Sequence, residues 1–254
     1  MIKNGKTVLS LTALTLTVII FCLIGAGCSD TEEVKGESGK NSKEEIVVLT
    51  DFSEAKAGDV IKFGHYEQDN NIENGPEDLE WIVLDVNGKS ALVISRYAID
   101  GVYYHPTMAE KTWETCSLRK WIKETFINAA FSEDEQKSIL TVTVAAESNP
   151  DYDTDPGNDT EDKVFLLSVN EANRYFSSDE ARKCEQTEYA KAQSSLTFED
   201  HQETMPCNWW LRTPGNAFMK AAIVYEDGSI NTQGIQFHAA PFSFRPAMWI
   251  AIDE

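Results

Sequence analysis

Two turn signals, Asn87-Gly88 and Asp227-Gly228, dictate more of this fold than any other feature of the chain. A glycine in a tight connection takes the positive φ that lets two strands return antiparallel with matched twist. The first signal lies between Glu80–Val86 and Ala91–Ser95, the second between Ala221–Tyr225 and Ser229–Thr232, so each predicts an antiparallel hairpin. Further strands are expected at Gly58–Gly64, which alternates apolar and polar residues, at Thr141–Val144, at Val164–Leu167 and at Phe244–Ile252. Helices are expected between them. Leu118, Trp121, Ile122, Thr125, Phe126 and Ala129 recur at three- and four-residue steps and form one apolar stripe. Ser132-Glu133-Asp134-Glu135 and Ser168-Val169-Asn170-Glu171 are capping boxes that each start a helix, the second carrying Ala172, Tyr175 and Phe176. Residues 178–206 are polar and low in core-forming side chains. Strands and helices do not alternate regularly, which excludes a doubly wound parallel sheet. The expected class is α+β, a mainly antiparallel sheet with a few packed helices.

The N-terminus carries a different message. Residues 1–27 hold Lys3 and Lys6, no acid, and an apolar run from Val8 to Ile24 that ends in Gly25-Ala26-Gly27 before Cys28. A basic start, an apolar middle and a small-residue exit is the layout of an export signal. Leu-Ile-Gly-Ala-Gly-Cys resembles the lipobox of bacterial lipoproteins, which are cut before a Cys that then carries acyl chains, although Gly25 stands where Leu is usual. That resemblance implies lipidation at Cys28 and attachment to the membrane through the lipid. An uncleaved anchor and plain secretion are the alternatives, and all three place the domain outside the cytoplasm. Residues 28–45 contain Asp30, Glu32, Glu33, Glu37, Glu44 and Glu45 with no aromatic residue, the composition of a flexible tether. One domain is expected over 46–254.

Composition restricts the partners. Lys and Arg number 22 against 42 Asp and Glu, a formal net charge of −20. Nucleic-acid binding needs basic groups to displace counterions, so nucleic acid is excluded as a partner. Cys116, Cys184 and Cys207 are an odd number, which allows at most one disulfide. No Cys or His spacing suits zinc, and no nucleophile elbow, metalloprotease helix or phosphate-cradling glycine loop is present.

Three sets of residues could carry a site. Asp151, Asp153, Asp155, Asp159 and Asp162 fall at positions 1, 3, 5, 9 and 12 of a loop, the ligand spacing of a Ca2+ site. Pro156 occupies the position where an EF-hand needs Gly, so a solvated acidic loop is the competing reading. Trp209 and Trp210 could offer a flat face to a sugar, yet adjacent strand residues point to opposite faces, and core packing competes for at least one of them. Arg212 and Arg245 suit either structural ion pairs or the clamping of an anionic ligand. Tyr103, Tyr104, His105, Phe237 and His238 belong to loops that could line a pocket, His238 being the ligand-binding candidate among them.

Several blocks together resemble an uncharacterised domain family of bacterial exported proteins. They are Gly58–Gln68, Glu80–Leu84, Ser117–Trp121, Asp162–Ser168, Trp209–Gly215 and Arg245–Ile250. The Trp-Trp-Leu-Arg and Arg-Pro-Ala segments are similar, more loosely, to the C-type-lectin-like fold of formylglycine-generating enzymes. These features together lead to the expectation of a cell-surface lipoprotein with a non-catalytic domain. Its extracellular ligand would be a glycan, a peptide or an envelope protein. An extracytoplasmic carboxylate-dependent hydrolase and a structural envelope component are the alternatives.

Overall fold

The first turn signal forms a two-residue connection. In the computed structural model, Asn87 pairs with Ser90 and Gly88 takes φ 61° at the first turn position. The structure describes residues 48–49, 52–194 and 207–252; the expected signal segment 1–27, Cys28 and the tether 28–45 lie outside them. The chain divides into two units, Met1–Glu44 and Glu45–Glu254, and all that follows concerns the second.

The described strands are, in chain order, β1 (Val48–Leu49), β2 (Val60–Tyr66), β3 (Glu77–Asn87), β4 (Ser90–Ser95), β5 (Asp100–Val102), β6 (Val142–Val144), β7 (Thr160–Asp162), β8 (Val164–Phe165), β9 (Trp209–Pro214), β10 (Lys220–Val224), β11 (Ile230–Gln236), β12 (Phe242–Phe244) and β13 (Ala247–Ala251). They form a six-stranded sheet in the order β1-β2-β3-β4-β13-β8, a five-stranded sheet in the order β11-β10-β9-β12-β5, and the ribbon β6-β7. Pairing is antiparallel except at β1–β2 and β9–β12. With its short helices, the domain is α+β and mostly sheet.

The expected last strand is in fact two. Arg245-Pro246 separates β12, in the second sheet, from β13, in the first. Proline has no N–H to give a ladder, so the chain leaves one sheet there and enters the other. The second turn signal also forms: Gly228 takes φ 85° between β10 and β11, and a Cβ there would run into the Asp179 carbonyl.

Helix α1 (Ser117–Trp121) passes through a π-helical turn, Ile122–Phe126, into α2 (Ile127–Ala130). Leu118, Ile122 and Phe126 are buried as their spacing predicts, but Thr125 and Ala129 are exposed and Ile127 and Ala130 are buried instead. A π turn takes in an extra residue, which moves the buried stripe by one position beyond it. Helices α3 (Glu133–Ser138) and α4 (Val169–Tyr175) start at the expected capping boxes: Ser132 and Ser168 accept from the backbone N–H of Glu135 and Glu171, whose carboxylates reach back. Helices α5 (Asp179–Arg182) and α6 (Glu188–Ser194) follow. The core is rich in aromatic contacts. Phe126 meets Phe244 edge-on at 4.9 Å and Phe131 at 6.0 Å.

Candidate functional site

The strand that carries Trp209, Trp210 and Arg212 lies at the centre of its sheet, and all six of its residues are buried. Both indoles are spent internally. Trp209 Nε1 donates to the Arg182 carbonyl at 3.3 Å and Trp210 Nε1 to the Val102 carbonyl at 2.9 Å. Arg212 is 4% exposed, ion-paired with Glu171, and donates to the Leu166 carbonyl at 2.8 Å. Arg245 is 1% exposed. It donates to the carbonyls of Ser95 and Arg182, both at 3.1 Å, and lies over the rings of Trp209 and Phe176. Neither Trp can therefore serve as an external stacking platform, and neither Arg as a clamp for an external anion, because both faces of β9 are covered.

The acidic loop does not converge on one point. Asp162 is fully buried, accepting from Trp113 Nε1 at 3.0 Å, Thr160 Oγ1 at 2.6 Å and Arg119 Nε at 2.8 Å. Asp151 accepts from Thr232 Oγ1, Asp155 from the Gly157 N–H and Asp159 from the Ala146 N–H. Each of these bonds pulls its carboxylate toward a different neighbour. Among the described residues the three acids that do approach one another are Glu67, Asp69 and Glu77. Their oxygens accept from the N–H groups of Asn71 and Gln68 and from Asn74 Nδ2.

Three loops that leave strands of the second sheet are tied to one another and carry the candidate face. Tyr104 roots the first of them, residues 103–112. Its ring stacks on Phe237 at 4.8 Å, meets Trp210 edge-on at 5.5 Å, and its hydroxyl donates to the Arg212 carbonyl at 3.1 Å. Two backbone bonds tie in the neighbouring loops: Lys111 N to the Phe218 carbonyl at 3.2 Å, and Phe237 N to the Met219 carbonyl at 3.0 Å. On this rooted base, Tyr103 is 38%, Met108 66% and Phe218 58% exposed. Leaving large apolar side chains in water is unfavourable by roughly 25 cal/mol per Å2, so three of them on loops fixed to each other are the candidates for a contact surface. The structure thus joins loop residues that sequence had grouped, but assigns them different work. Tyr104 and Phe237 hold the base and Tyr103 faces outward. His238 is half-buried, and its Nδ1 is enclosed without a hydrogen-bond partner among the described residues. Met108 and Phe218 were missed. Phe218 follows the Pro214-Gly215 turn after an apolar strand, a position where sequence suggests only a loop.

The first loop leads into an open groove of about 610 Å3 beside α1, lined among others by His105, Glu114, Thr115, Ser117, Lys120 and Lys123. His105 Nδ1 lies 3.1 Å from Ser117 Oγ and accepts from the Ser117 N–H at 3.3 Å. A Ser–His contact invites a nucleophilic reading. Here the same nitrogen caps the first N–H of the helix, and the hydroxyl also bonds the Tyr104 carbonyl at 3.4 Å. Burial, followed by the charge of Lys111, holds the His105 imidazole below its usual value. Accepting at Nδ1, the ring positions the helix start. Cys116, which caps α1 through Sγ, is buried and pushed up to about 12 by that burial, so it is an inert thiol.

The chain has a counterpart among known families. The family model described as a domain of unknown function (DUF6273) matches residues 88–252, and the chain belongs to that family. No curated protein matches the chain, and no solved structure does.

Proposed function

We propose that the chain is a cell-surface lipoprotein, held to the membrane by acyl chains on Cys28, whose domain binds an extracellular glycan at the loop face and its groove. The observation that carries this reading is the set of exposed side chains Tyr103, Met108 and Phe218 on loops locked to one another and to the core. Sugars have an apolar face that stacks on rings and a rim of hydroxyls that both donate and accept. The groove beside the face offers both kinds of group: Lys120 and Lys123 donate, Glu114 accepts, and the hydroxyls of Ser117 and Thr115 can do either. The looser likeness of Trp209–Arg212 and Arg245–Ala247 to C-type-lectin-like domains supports the same reading by analogy. The basic, apolar and small-residue order of 1–27 supports the export and lipid anchor. No helix among the described residues is long and apolar enough to cross a membrane.

A glycan array probed with the full chain in detergent tests the binding reading. The wild type should retain a subset of glycans, and a Tyr103→Ala, Phe218→Ala double variant with an unchanged melting point should lose them. Retention of no glycan by the wild type, or equal retention by the variant, contradicts the proposal.

A further inference from the structure

Two thiols far apart in sequence meet beneath the second sheet. Cys184 follows α5 and Cys207 leads into β9; the Cys184 thiol points to the Arg96 and Glu185 carbonyls at 3.7 and 3.4 Å, and the two sulfurs are near enough to influence each other. Several independent contacts fix this meeting. Ala98 N donates to the Glu185 carbonyl at 2.9 Å and Thr187 N to the Ala98 carbonyl at 3.0 Å, which pins the chain on one side of Cys184. Trp209 Nε1 reaches the Arg182 carbonyl, pinning the other side. Ser243 of β12 sits between: its N–H donates to the Asn208 carbonyl at 2.9 Å, its hydroxyl receives Gln186 Nε2 at 2.9 Å, and it also bonds Cys207. Cys184 and Cys207 are therefore held side by side by the fold, not by chance approach of two loops.

We infer that Cys184 and Cys207 are a disulfide-forming pair, oxidised by thiol–disulfide exchange with a disulfide-carrying oxidant. The Cys184 thiolate attacks one sulfur of the oxidant and expels the other as a thiol. The Cys207 sulfur then attacks the Cys184 sulfur of the mixed disulfide and expels the second thiol. The oxidant thus gains the two electrons and two protons that the protein thiols lose. The division of labour follows from placement. As a residue Cys184 is half-buried and Cys207 buried, which favours Cys184 as the attacking thiol. The surroundings agree with that order. Burial works against the Cys184 thiolate, but the influence of Cys207 and the charge of Arg245 outweigh it, so this thiol lies below its ordinary value. The influence of Cys184, then burial, pushes Cys207 up. Among the described residues no carboxylate ion-pairs with Arg245, so its charge acts on both thiols. Cys116, capping α1, takes no part. The bond would fasten the span from 185 to 206, including α6, at both ends.

The test uses the full chain, reduced and then equilibrated with oxidised glutathione, quenched with N-ethylmaleimide, cleaved after Lys and Arg, and mapped by mass spectrometry. The peptide 184–191 should be linked to the peptide 192–212, and Cys116 should appear only as the maleimide adduct. Both thiols alkylated, glutathione retained on Cys184, or a link from Cys184 to another cysteine would each overturn the inference. The oxidised chain should also melt about 7–14 °C above the reduced chain, as expected for closing a loop of about two dozen residues. That difference should vanish in Cys184→Ala, while a proven link with no shift in melting point would overturn the fastening role.

Discussion

The centre of β9 and the loop face use the same kinds of side chain to opposite ends. In β9, two Trp and an Arg are enclosed and every polar atom named above has an internal partner. On the loop face, Tyr103, Met108 and Phe218 stand in water on a base held by Tyr104 and Phe237. Aromatic and cationic side chains therefore say little about a site by their type. What distinguishes a site is apolar surface left exposed on backbone that cannot relax to hide it. The two regions touch through Tyr104, whose ring packs on Trp210 and whose hydroxyl bonds Arg212. The rigid strand is what holds the loops in place.

The strongest way to break this comparison is to damage the enclosed side. Glu171→Ala leaves the Arg212 guanidinium buried without its carboxylate and also opens the α4 capping box. Removing one partner of a buried pair costs about 3–5 kcal/mol, reduced here because Glu171 is partly exposed, so a loss of about 2–4 kcal/mol is expected in urea unfolding. A loss below 0.5 kcal/mol would show that Arg212 is not enclosed as described.

An intermediate effect is expected at Asp100, where β5 runs from the core into the first loop. Burial lifts its carboxyl to about 6, against the lowering effect of hydrogen bonds from Tyr66 Oη and the Gly101 N–H, both at 2.7 Å. The folded state holds this proton more tightly than the unfolded chain, so its stabilising effect is complete below pH 4 and is lost as pH rises to about 6. Asp100→Asn cannot titrate. Its stability relative to wild type should grow by roughly 2 kcal/mol between pH 4 and pH 7, read from denaturant midpoints across that range. A constant difference would place Asp100 in water.

The smallest effect belongs to the exposed side. Phe218→Ser should change stability by no more than about 0.5 kcal/mol, because more than half of the residue stands in water. A loss of 2 kcal/mol would make Phe218 a core residue and remove it from the contact surface.

Local features of the fold were legible because they depend on near neighbours. The turns at Gly88 and Gly228, the capping boxes at Ser132 and Ser168 and the strand around Val142–Val144 each need only a few consecutive residues. The π turn at Ile122–Phe126 was not legible, since the apolar spacing fits an unbroken helix up to Phe126. The passage at Arg245-Pro246 from one sheet to the other was hidden in a continuous apolar run. For the site, sequence named Tyr103 and His105 but ranked the strand residues above them. Which aromatic is covered depends on what packs over each face of β9, and those partners, among them Val102, Tyr104, Leu166 and Arg182, come from segments far away in the chain. The Arg212–Glu171 pair and the meeting of Cys184 with Cys207 are long-range for the same reason.

Hydroxyl-radical footprinting of the full chain, with and without a glycan retained on the array, tests the central claim most directly. Tyr, Met and Phe side chains oxidise readily where water reaches them, so the surface reports itself. Oxidation at Tyr103, Met108 and Phe218 should fall together when the glycan is bound, while the exposed Ile72 and Tyr225 keep their free-state values. Unchanged oxidation at those three positions with the glycan bound would place the binding site elsewhere on the domain.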